Sequence, residues 1–175
     1  AITGATTISA SGQNITLSDA SSTFGTLALT GANVAVTDAG AVDLGVSTVS
    51  GTLGITSGGA VTDSGTLAIT GVTTISASGQ DITLSETAST FGTLALTGAN
   101  VSVTEAAATD LGASTVSGTL GVISNGAVTD SGTLAIAGDA TFTNIDGTDD
   151  AITLDDAANA FGGTVTFATD SGSAV

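Results

Sequence analysis

The stretch "STFGTLALTGAN" occupies residues 22–33 and recurs letter for letter at 89–100. Setting Ala1–Leu67 against Ala68–Leu134 needs no gap, and 13 of the 67 positions differ, leaving 54 identical. Most differences are mild, such as Ala5/Val72, Asp19/Glu86 and Asp38/Glu105. A third copy starts at Ala135, gains three residues around "TNIDGTDDA" so that Ile152 takes the place of Ile82, and reaches Val175 incomplete. A fixed period of this size is the signature of stacked structural units. The chain therefore reads as one segment, 1–175, with internal repeats 1–67, 68–134 and 135–175.

Inside one period, short alternating runs such as "TLALT", "NVAVT", "STVS" and "DITLS" are broken every few residues by Gly, Asn, Asp or Ser. Alternation over four to six residues is the mark of a half-buried strand. An antiparallel sandwich could hold such strands, but it has no reason to return the same sequence at a fixed interval. A β-solenoid does, because each coil needs a neighbour to cover its open edges. The fold expected is thus all-β, a parallel β-helix of about 20 residues per coil. The motif "GTL" returns at Gly25, Gly51 and Gly65, which divides the period into Thr26–Gly45, Val46–Gly65 and a longer coil Thr66–Gly92. That division gives three coils per repeat, with inward Leu27, Leu29, Val34, Val36, Leu53, Ile55, Leu67, Ile69, Ile75, Ile82 and Leu84. At about 4.8 Å per coil, the whole is a rod roughly 40 Å long.

The chain carries a formal charge of −16, with no Lys, Arg, His or Cys. Nucleic acid is held through Lys and Arg, and anionic membrane surfaces attract the same side chains, so neither is an expected partner. No apolar run approaches the roughly 20 residues that cross a bilayer as a helix. Residue 1 falls inside a repeat and no secretory signal is visible, so the chain reads as an excerpt. Without His, Cys, Lys or Tyr, a Ser-His-Asp arrangement cannot form. A carboxylate pair could in principle cleave a glycosidic bond, but no cation is present to position an acidic sugar. No enzyme activity and no cofactor are expected.

Acidic residues are the remaining site candidates. Asp43 and Asp63 are separated by one expected coil length, as are Asp110 and Asp130. Stacked one coil apart, each pair would sit about 5 Å apart and either raise a pKa or recruit a cation such as Ca²⁺. The turn "DGTDDAITLDD" adds Asp146, Asp149, Asp150, Asp155 and Asp156, oxygen donors of the kind that hard cations favour. Its spacing matches neither an EF-hand nor the calcium nonapeptide of β-rolls. Asn14-Ile15-Thr16 and Asn100-Val101-Ser102 fit the N-glycosylation pattern, which is frequent by chance. Phe24, Phe91 and Phe161 read as core plugs at a corner. Threonines alternate along several strands without holding one register through all coils, so a flat ice-binding array ranks as a remote reading.

"DITLSETASTFGTLALTGANVSVTEA" (81–106) and "AITLDDAANAFGGTVTF" (151–167) resemble the repeats of the filamentous haemagglutinin-like exoproteins. The likeness covers nearly the whole chain and rests on solenoid-building motifs. It implies a right-handed parallel β-helix, a secreted or cell-surface location in a bacterium, and export by two-partner secretion or an autotransporter route. The function expected is a structural shaft or fibre-forming segment of an adhesin, associating end to end or laterally into filaments. The alternative is a cation-dependent module that binds carbohydrate or a host surface.

Overall fold

The computed structural model describes residues 1–145, 147 and 150–169. All regular structure among them is β, and every strand pairing is parallel. Two 11-stranded sheets form, and the chain passes back and forth between them, with bends such as those at Gly45 and Gly65 that stay within one sheet. The expected β-solenoid is thus present, and its coils have close to the expected length: Leu53 lies beside Thr73 and Ser47 beside Leu67.

Why the sequence winds this way follows from its alternation. In "TLALTG" (Thr26–Gly31) Leu27 and Leu29 are fully buried, while Thr26, Ala28 and Thr30 face outward. "VAVTD" (Val34–Asp38) buries Val34, Val36 and Asp38 in the same fashion. All eleven positions read as inward from the sequence are in the core. Each stacked coil buries its open face on the next, so no coil has a core of its own. Corners are closed by small residues that allow near contact. A Cβ on Gly51 would run into Asn33 Oδ1 and the Ala32 carbonyl. Gly12, Gly79 and Gly147 sit at φ of 72°, 74° and 76° in the protruding turns of the three copies, where the left-handed conformation favours glycine.

The structure differs from the sequence reading in the number of coils per repeat. Starting from Thr26–Gly31, the chain visits the first sheet, then Val34–Asp38 in the second, and Val42–Leu44 with Ser47–Val49 in the first. Leu53–Ser57 follows in the second, Val61–Asp63 with Leu67–Ile69 in the first, Val72–Ser76 in the second and Ile82–Leu84 in the first. That is seven faces. The next strand, Thr93–Gly98, is the copy of Thr26–Gly31, yet it lies in the second sheet. With two faces per coil, seven faces make three and a half coils, so the average coil is slightly shorter than a three-coil division requires. Successive copies are therefore related by half a turn.

The reason lies in what "GTL" marks. Leu27 enters the first sheet and Leu53 the second, while Leu67 continues in the first sheet after Val61–Asp63, so the motif signals a corner or a bend, not a completed coil. The expected long coil Thr66–Gly92 does not exist as such, since its residues span more than one winding. Offsets between paired residues in the first two copies instead drift from 17 (Thr26 with Asp43) to 22 (Ala68 with Thr90). The third copy does lengthen its coil, as its extra residues require: Ala135 pairs with Ala160, 25 positions on.

Candidate functional surfaces

The paired aspartates take up positions other than those their spacing suggested. Asp43 pairs with Thr62, and Asp63 pairs with Leu44. Asp110 likewise pairs with Thr129, and Asp130 with Leu111. The second acid of each pair thus lies one position beyond the partner of the first. That single step puts the two acids on opposite sides of the sheet, so they are not stacked.

Each acid has its own role instead. Asp43 accepts hydroxyl hydrogen bonds from Thr26 on the coil before (2.8 Å) and from Thr62 (3.3 Å) and Ser64 (2.7 Å) on the coil after. Asp110 repeats this with Thr93 and Ser131, both at 2.8 Å. Asp63 accepts the backbone N–H groups of Ser85 (2.7 Å) and Glu86 (3.2 Å). Asp130 does the same for Asp155 and Asp156, and also takes the Asn159 amide. These carboxylates staple neighbouring coils together, a task that a chain without cations must give to hydroxyls and amides. Asp146 and Asp149 lie outside the described residues. Asp150 is half-buried. Among the described residues, no three acidic side chains converge in a way that could hold a metal ion.

Two buried acids escaped the sequence reading. Asp38 is 2% exposed and Glu105, its copy, 1%. Asp38 accepts the N–H of Phe24 (2.8 Å) and of Gly40 (2.7 Å). Glu105 accepts the N–H of Phe91 at 2.8 Å, while Ala107 stands in the place of Gly40. Burial pushes the Glu105 carboxyl up to about 7; the Phe91 N–H and the Thr109 hydroxyl pull it back, and the charge of Asp110 adds to the rise. Below Glu105 the interior continues as a polar column through Ser124 and Asn144, both buried. The signal was in "VAVTD" and "VSVTE", whose alternation sends the fifth residue to the same side as both valines. Phe91 is buried, and Phe24 and Phe161 pack against the core, as expected of corner plugs. Phe161 also meets Phe142 edge-on, with ring centroids 6.3 Å apart.

At the glycosylation-like positions, Asn14 Oδ1 accepts the Asn33 amide and Asn100 donates to Asp81, each at 3.0 Å. Both are links in inter-coil ladders at exposed corners. Outward hydroxyls nonetheless line part of one column of the second sheet, where Thr37, Thr56, Ser76, Thr97 and Thr115 are successive partners, with a serine interrupting the threonines and Ala135 following. The column was invisible to a three-coil division because it joins different positions of the two copies.

A family model described as repeats of unknown function (DUF5649) matches residues 1–30, 31–97 and 98–168. Its unit boundaries at Gly31 and Gly98 are themselves one period apart. No curated protein and no solved structure matches the chain.

Proposed function

The chain belongs to this family of repeats of unknown function, and we propose that it is a non-catalytic shaft or fibre-forming segment of a secreted bacterial surface protein of the adhesin type. The observation that carries this reading is the unbroken stacking of near-identical copies. Each coil is hydrogen-bonded to the next throughout both sheets, so each added repeat adds length and little else. A binding or catalytic site calls for a locally distinct surface. Here the most distinctive acids, Asp43, Asp63, Asp110 and Asp130, are occupied in holding coils together. The extracellular setting rests on the resemblance of residues 81–106 and 151–167 to exported repeat proteins. The absence of Lys and Arg supports it too, since trypsin-like proteases then have no cleavage site.

Electron microscopy of chains with one, two and three additional repeats tests the shaft directly. Contour length should grow by about 17 Å per repeat, three and a half coils at ~4.8 Å each, with width unchanged. Particles that thicken or stay the same length would overturn the reading.

A further inference from the structure

The broad faces of the solenoid differ sharply from its edges. Among the described residues, outward strand positions are filled by Thr, Ser, Ala, Gly, Val and Ile, and Asp43 and Asp110 are the only charged ones. Both of those are engaged by hydroxyls of adjacent coils. Asp19, Asp81, Glu86, Asp139, Asp150, Asp155 and Asp156 lie instead at the corners and turns between strands. In a molecule of formal charge −16 with no cation, two copies repel one another at every edge. The sheet faces are where they can approach.

The half-turn between copies makes those faces chemically alike. Thr30 pairs with Thr48 on the first sheet, and their copies Thr97 and Thr115 pair on the second. A strand face five residues wide spans about 16 Å, and eight rungs rise about 35 Å. Two such faces together bury roughly 1,200 Å², at the low end for a specific protein interface, and this area grows with every repeat. In-register columns of small side chains are the kind of surface that interdigitates face to face.

We infer that the partner of each broad face is the broad face of a second copy of this chain. Because both faces are equivalent, pairing through one leaves the other free, and association propagates sideways into a ribbon. This inference stands apart from the shaft reading, since a shaft that never pairs is still a shaft and its length is measured separately.

Sedimentation velocity over a wide concentration range, at low and high salt, tests it. The wild-type chain should form oligomers larger than dimers, the more so at high salt, which screens edge repulsion. Thr56→Asp with Thr115→Asp charges the second sheet only and should halt assembly at dimers. Adding Thr48→Asp with Thr141→Asp on the first sheet should leave monomers. All four threonines are exposed, and circular dichroism confirms that each variant keeps its β-structure. A wild-type chain monomeric throughout would overturn the inference, as would a one-face variant that still grows past dimers. Monomers that adhere through these columns to an insoluble polysaccharide or to ice would overturn it as well.

Discussion

Thr73 pairs with Leu53 on one side and Leu94 on the other, fully buried and with no partner for its hydroxyl. Its copy in the first repeat, Thr6, has an unpartnered hydroxyl too. A buried unsatisfied hydroxyl costs about 1–3 kcal/mol, and valine has nearly the same shape. Thr73→Val should therefore stabilise the chain by roughly 1 kcal/mol, read as a higher denaturant midpoint at unchanged slope. Glu105 offers the opposite case, a buried group that can ionise. Its carboxyl rises from an ordinary 4.5 to about 7 on folding, so the folded chain holds this proton where the unfolded chain has lost it. The contribution is fully present below the unfolded value and disappears as pH rises through the folded one. At full ionisation the loss is on the order of 3 kcal/mol. Glu105→Gln removes the titration. Wild type should lose stability relative to that variant between about pH 4 and pH 8; parallel pH curves would show that Glu105 does not titrate with folding.

The coil is held together by acids acting as acceptors for neighbours above and below. Asp43 gathers three hydroxyls from two adjacent coils. Asp43→Ala should lower stability by about 1–2 kcal/mol, and chemical denaturation should give the same difference with calcium as with a chelator. A difference abolished by the chelator would restore the cation-site reading of this residue. The strands themselves were legible in the sequence, because period-two alternation fixes which side of a sheet each residue faces whatever the coil count. Leu27, Val34 and Ile82 could thus be placed inside from local pattern alone. Which residue stacks on which was not legible. Register depends on how many residues each corner or bend absorbs, and the bends at Gly45 and Gly65 look on paper like the corner at Gly51. A one-residue error in that count carried Asp43 and Asp63 from one column to opposite sides of a sheet.

At the scale of the whole molecule the consequence of the corner count is symmetry. An odd number of faces per repeat turns each copy by half a revolution, so a feature written once per repeat is displayed alternately on two sides. The protruding turns obey the same rule. The turn at 10–14 leads from the first sheet to the second and the one at 77–81 from the second to the first, while in the third copy Ala140–Asn144 lies in the first sheet and the next strand, Ile152–Thr153, in the second. Along one edge such turns recur every second repeat, about 34 Å for seven coils, a spacing set by the winding. A solenoid built this way is two-sided without needing two kinds of repeat.

Spin labels test the half-turn most directly, since the chain has no native cysteine and single cysteines at Thr30 and Thr97 label one position in two copies. If the repeat is three and a half coils, the two lie on opposite faces, and electron–electron resonance should return a separation beyond about 20 Å. Labels at Thr56 and Thr97, two rungs apart in one column, should lie about 10 Å apart. A separation of about 14 Å for Thr30 and Thr97, three rungs on the same face, would contradict the account.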